Sequence, residues 1–170
     1  ITLDKESVTA DQWIYFPEKT ISLGRVSEMK NFSEKMAPPG KTSLFVEYFT
    51  TEGDRIWTMT DEALYEETVT TLEHAGLIER SEVNHYVVYT LEKVYPVYTL
   101  TYKRDLGIIK HYLDEFKNLF YIGRPGRFRY TNQDHSLEMG IAAAHSLIDG
   151  KRRDLEAIGN EEEHYEHGDL

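Results

Sequence analysis

The order of elements in this sequence predicts an α+β fold: a mixed or antiparallel β-sheet with about three helices. Three observations lead there. Strand-like and helix-like segments alternate irregularly, as strands, helix, strands, helix, strand, helix, rather than as repeated strand–helix–strand units. No Gly-x-Gly-x-x-Gly follows any strand-like run, so the glycine-rich half of a dinucleotide-binding domain is absent from these residues. Finally, 170 residues at 40% hydrophobic and 29% charged suit one compact core with a solvated exterior.

Taken in order, Trp13 to Phe16 and Thr20 to Ser27 read as strands around a turn at Pro17-Glu18-Lys19. Strand alternation puts Ile21, Leu23 and Arg25 on one face of the second. Pro38-Pro39-Gly40 marks a loop, and Thr42 to Thr50 is again β-rich. Asp61 to Ala75 has helical spacing, with Leu64, Thr68, Leu72 and Ala75 on one stripe and Gly76 as its stop. Tyr86 to Leu91 and Tyr98 to Tyr102 are strand-like, separated by Tyr95-Pro96. Leu106, Ile109, Leu113 and Phe116 then mark an amphipathic helix, and Leu119 to Ile122 a short buried strand. The last helix carries Leu137, Ile141, Ala144 and Ile148 on its expected inner face. Residues 1–150 are expected to form one domain, and 151–170 an acidic, mobile tail.

Composition removes several functions. A net charge of −11 argues against nucleic acid, whose binding depends on Lys and Arg displacing counterions. The chain has no Cys, which excludes thiolate metal sites and a Cys nucleophile. The seven His residues show no metal-ligand arrangement, and His164 and His167 fall in the acidic tail. No Gly-x-Ser-x-Gly elbow occurs. Glu28 and Glu47 are candidates for an acid–base pair, with exposed carboxylates as the ordinary alternative. No apolar run reaches membrane-spanning length, and the expected setting is the cytoplasm. Residue 1 is Ile, so the numbering is expected to begin inside a longer protein.

The segment with most chemical content runs from Gly123 to Ser136. Arg124, Arg127 and Arg129 are clustered in an otherwise acidic chain, followed by Tyr130, Asn132, Gln133 and Asp134 at the start of a helix. A helix start offers unpaired N–H groups and a positive dipole end, which suit a phosphate, a carboxylate or another electron-rich group. Gly126 permits a turn or a close backbone approach, and Gly140 with Ala142-Ala143-Ala144 thins one flank of the helix. The residues leave two readings open: a ligand site, or a helix N-cap in which Asp134 or Asn132 satisfies the first-turn N–H groups.

Gly-Arg-x-Gly-x-x-x-Tyr-x-x-x-Asp before a small-residue helix resembles the C-terminal FAD motif of UDP-galactopyranose mutases and the wider amine-oxidase/protoporphyrinogen-oxidase-like flavoproteins. Gly24-Arg25-Val26-Ser27-Glu28 is similar to the mutase segment Thr-Arg-x-x-Glu, and Pro39 to Leu44, Glu47-Tyr48 and Tyr95-Pro96 extend the likeness. The resemblance implies the substrate side of a FAD-dependent oxidoreductase or mutase-like enzyme, inactive by itself without its glycine-rich half. It implies catalytic roles for Arg25, Arg124 and Tyr130. Cofactor contacts are implied for Gly123, Arg124, Gln133, Asp134, His135 and Ser136, with Asp134 on the ribityl chain of FAD. The implied substrate is small and anionic, such as a nucleotide sugar. The missing half, or self-association over the face where it docks, is the implied protein partner. Arg124-Pro125-Gly126 and Asn132-Gln133 depart from the mutases' Arg-Leu-Gly and acid-Met, which points to a less specialised member. A non-catalytic ligand- or protein-binding domain is the alternative.

Overall fold

The computed structural model describes residues 1–159; the acidic run beyond them, with His164 and His167, lies outside the described residues. The chain forms two units, residues 1–90 and 91–170. Its fold is α+β, with five strands in one antiparallel sheet and four α-helices among the described residues.

The sheet belongs to the first unit. Strands β1 (Thr2–Leu3), β2 (Trp13–Tyr15), β3 (Arg25–Glu28), β4 (Thr42–Glu47) and β5 (Val83–His85) lie in the order β2-β3-β4-β1-β5. Every adjacent pair is antiparallel, with Arg25 opposite Glu47 and Val26 opposite Val46. Helix α1 (Asp61–His74) contributes to the core beside the sheet. Val69 and Leu72 are buried with Leu3, Leu23, Val26, Leu44 and Ile78. Thr60 caps α1 by accepting from the Ala63 N–H, and Asp61 and Glu62 occupy the favourable end of its dipole. Gly76, at φ +71°, closes the helix with a bond from Leu77 N–H back to the Leu72 carbonyl.

A buried carboxylate ties the sheet to the segment before β2. Glu28 is fully buried and accepts from the backbone N–H groups of Val8 (3.0 Å) and Thr9 (2.7 Å) and from the Thr42 hydroxyl (2.7 Å). It is therefore a structural anion. It sits opposite Leu44 on β4, whereas Glu47 sits opposite Arg25, so the candidate acid–base pair of Glu28 with Glu47 does not form, and Glu28 is not an exposed carboxylate either.

Several expected elements are shorter or different. Thr20 to Ser27 is not one strand: Leu23 and Val26 are both buried in the same core although three residues apart, so alternation breaks at Gly24. Tyr86 to Leu91 has no regular structure, and Tyr102 opens helix α2 (Tyr102–Asp114) instead of closing a strand. The tyrosines that suggested strands pair through their rings: Tyr86 stacks on Tyr65 at 4.2 Å, and Tyr98 lies 4.6 Å from Tyr102. Leu119 to Ile122 is irregular and part-exposed, not a buried strand. Gly123 to Arg127 winds into the short helix α3 (Gly123–Arg127), where Pro125 is tolerated in the first turn.

The final helix, α4 (Gln133–Asp149), turns its expected inner face outward. His135, Met139, Ala143 and Ser146 are buried, while Leu137 (62% exposed), Ile141 (60%) and Ile148 (81%) are open. The exposed stripe is the more apolar of the two, so periodicity selects the wrong face. On α2, Leu106 and Leu113 are half-covered and Ile108, Ile109 and Tyr112 are exposed. Residues 151–159 return to the second unit: Leu155 is buried there and Gly159 lies against the His135 ring.

Replacing Glu28 by Ala leaves several buried donors without an acceptor, each costing about 1–3 kcal/mol. Urea denaturation of the variant is expected to show a loss of about 3 kcal/mol or more; a loss below about 1 kcal/mol would remove the structural role given to Glu28.

Candidate functional site

The candidate site lies in the second unit, on α3, the start of α4 and the loop between them. Gly123 begins α3 at φ +70°, a conformation that favours glycine, and the space beside its Cα opens toward Ser136. Gly126 has a different task. A Cβ there would lie 3.2 Å from the Tyr121 carbonyl carbon, so its close approach is to the chain's own backbone rather than to a ligand.

Arg124 is the organising side chain. Its Nε (2.9 Å) and Nη2 (2.6 Å) both donate to the Thr131 carbonyl. The guanidinium carbon lies 4.9 Å from the Tyr95 ring centroid and 4.6 Å from that of Tyr130, and the two rings stack at 5.6 Å. The Tyr130 N–H donates to the Tyr98 hydroxyl at 2.7 Å. Arg124 has no carboxylate partner among the described residues, whereas Arg25, Arg55, Arg80, Arg127 and Arg153 all have one. Its positive charge is thus held in place, part-buried against two π faces, without a carboxylate partner among the described residues.

The start of α4 divides its work between neighbours. Asn132 is the N-cap, and its N–H donates to the buried His135 Nδ1 at 3.2 Å, the return half of a capping box. His135 is committed to that cap and to packing against Gly159. The Ser136 hydroxyl donates to the Asn132 carbonyl at 3.2 Å. Asp134 is the residue left over: its side chain is 73% exposed, and its nearest recorded partner is His135 Nε2 at 3.8 Å. Gln133 is also exposed. The choice between N-cap and ligand site is therefore not exclusive: Asn132 does the capping, and the Asp134 carboxylate stays exposed at the helix start.

Arg25 stands in the first unit, under other constraints. Its Nη2 donates to Glu47 Oε1 at 2.9 Å, its Nε to Glu47 Oε2, and its Nη1 to the Tyr15 hydroxyl at 3.1 Å. The fork-to-fork pair with Glu47 raises the guanidinium's pKa above its ordinary value and neutralises its charge locally. Arg124, Tyr130 and the start of α4 share one unit, and Arg25 belongs to the other. Sequence reasoning missed Tyr95 as the second ring on Arg124 and Thr131 as its acceptor. The Tyr95–Tyr130 stacking spans 35 positions, which no local pattern reports. No group of three or more His, Asp or Glu able to hold a metal occurs among the described residues. No described helix is long and apolar enough to cross a membrane.

A crystal structure of reduced UDP-galactopyranose mutase superposes on 95% of this chain with a TM-score of 0.74 and 22% sequence identity. The chain shares its fold with part of that enzyme. It spans 35% of the mutase chain, and at this identity the likeness speaks for the fold alone. No protein-family model and no curated protein sequence matches the chain.

The division of labour at α4 is measurable. Asn132→Ala is expected to lower stability by about 1 kcal/mol through loss of the cap. Asp134→Ala is expected to lower it by about 0.5 kcal/mol, the loss of its helix-dipole interaction alone. Equal and larger losses in both variants, measured by thermal or urea unfolding, would make Asp134 a structural residue.

Proposed function

We propose that this chain is the substrate-side part of a FAD-dependent enzyme of UDP-galactopyranose mutase type, completed by a glycine-rich half elsewhere in a longer protein. The observation that carries this reading is Arg124, without a carboxylate partner among the described residues and clamped by Thr131 between Tyr95 and Tyr130, one short loop before the start of α4. The fold shared with a segment of the mutase supports it independently. So do the apolar residues left open on α2 and α4, which suit cover by further protein.

The residues fit a flavin in kind. Asp134 offers an exposed carboxylate to ribityl hydroxyls, and the positive dipole end of α4 suits an electron-rich ring edge. Gly123 and Ser136 keep the approach narrow in side-chain bulk, while His135 supports α4 from beneath as part of its cap. When bound, the flavin supplies the redox chemistry of such a site. Arg124 binds and orients an anionic substrate, a nucleotide sugar in this reading, because a guanidinium fork matches phosphate oxygens. Tyr130, 56% exposed, presents its hydroxyl to the same substrate. Arg25 contributes less charge, because Glu47 already neutralises it, and serves to position β3 and β4.

In the product of the full gene, Asp134→Ala is expected to weaken FAD retention, read from flavin fluorescence after gel filtration, while Asn132→Ala retains it. Arg124→Gln is expected to weaken UDP binding about 10- to 100-fold by calorimetry, the loss of one or two charge-assisted contacts. Unchanged FAD retention in the first variant and unchanged UDP affinity in the second would overturn the assignment.

A further inference from the structure

Residues 151–159 run back along α4 and touch it near both ends. Gly150, at φ +70°, is the left-handed C-cap that turns the chain out of the helix. The Arg153 N–H then donates to the hydroxyl of buried Ser146 at 3.1 Å, in the last turn of α4. Leu155 is buried, and Gly159 lies so near the His135 ring that a Cβ there would come within 2.9 Å of it. Ser146 and His135 belong to one buried stripe of α4 and are about 16 Å apart along the helix axis. Arg153 to Gly159 reaches about 20 Å at full extension, so the segment spans that stripe with little slack.

Between those ends, three other parts of the unit grip the segment. Lys110 on α2 donates to Glu156 Oε1 at 2.5 Å, and Arg127 on α3 donates to the same oxygen. Arg129, in the loop between α3 and α4, donates to the Glu156 carbonyl at 2.9 Å and to the Ile158 carbonyl. Its Nη1 also lies 3.7 Å from Glu156 Oε2. Arg127 is buried, so it is a fixed anchor rather than a mobile surface cation. The far end of the segment meets the residue that completes the α4 cap: His135, against which Gly159 rests, accepts the Asn132 N–H at Nδ1 (3.2 Å). Holding Arg129 and His135 therefore sets both the loop that enters α4 and the capped first turn.

We propose that residues 151–159 are a positioning strap for the start of α4, fastened at Glu156 and Gly159. Seated, the strap fixes Arg129 and the His135 ring, and with them the first turn that carries Asp134. Lifted, it releases that turn while the middle of α4 stays helical, because the helix's other backbone bonds do not involve the strap. Coupling between two positions is reciprocal, so a ligand held at the first turn also holds the strap down. That last consequence rests on the reading of Asp134 as a flavin residue; the coupling itself stands without it.

The test uses NMR on the whole 170-residue chain without flavin, with backbone relaxation reporting on the strap and amide hydrogen exchange on α4. Two variants lift the strap at different points. Glu156→Ala removes the carboxylate, and Gly159→Val places a β-branched side chain at φ +68° and against the His135 ring. In each, order parameters of residues 154–158 are expected to fall from about 0.85 to below about 0.6. Amides of Ser136, Leu137 and Glu138 are expected to exchange about 10-fold faster, while those of Ala143 and Ala144, and of Val69 and Leu72 in α1, keep their rates. A lifted strap with unchanged exchange at Ser136 to Glu138 would overturn the proposal, and so would a strap that stays ordered in both variants. A uniform rise along all of α4 would also overturn it, since the strap would then be a general stabiliser. Because no flavin enters the measurement, failure here leaves the flavoenzyme reading standing, and failure of FAD retention leaves the strap standing.

Discussion

The Thr131 carbonyl accepts two hydrogen bonds from one guanidinium, and the candidate site is built outward from that contact. By holding Arg124, it fixes where α3 ends relative to where α4 begins. It also brings Tyr130 against Tyr95 and leaves Asn132 positioned to cap α4. A neutral acceptor is what makes this arrangement chemically useful. A carboxylate at that position would hold the arginine equally well and cancel its charge; a carbonyl holds it and leaves the charge available.

Arg25 is the contrasting case in the same chain. Its guanidinium makes a two-pronged pair with Glu47 across β3 and β4 and is flanked by Trp13 and Tyr15. Both arginines lie against aromatic rings, yet one is spent on sheet geometry and the other is not. Glu28 carries the same logic for anions. Fully buried, it is occupied by backbone N–H groups and the Thr42 hydroxyl, while Asp134 at the helix start is exposed and nearly unpartnered. Groups that satisfy one another make the scaffold. Those left unanswered mark the site.

Much of this was legible in the sequence where the causes are local. The acidic first turn and the Gly76 stop of α1, the strands around β3 and β4, and a helix start at Asn132 or Asp134 follow from residue types at short range. Clustering of Arg124, Arg127 and Arg129 was visible, but their different partners were not. Those partners are Thr131 and Tyr95 for Arg124 and Glu156 for Arg127 and Arg129, up to 29 positions away. The inner face of α4 was misread because its exposed stripe of Leu137, Ile141 and Ile148 is more apolar than the buried one, which includes His135 and Ser146. The aromatic run from Tyr86 to Tyr102 was misread because ring-on-ring stacking, not strand pairing, satisfies it.

The central claim is that the loop from Arg124 to Asp134 forms one wall of a flavin site. It is tested most directly by purifying the full gene product and quantifying the flavin released on denaturation. The account predicts about one FAD per polypeptide, with the visible bands of an oxidised flavin in the native protein. A colourless product that takes up no flavin when FAD is added would contradict it.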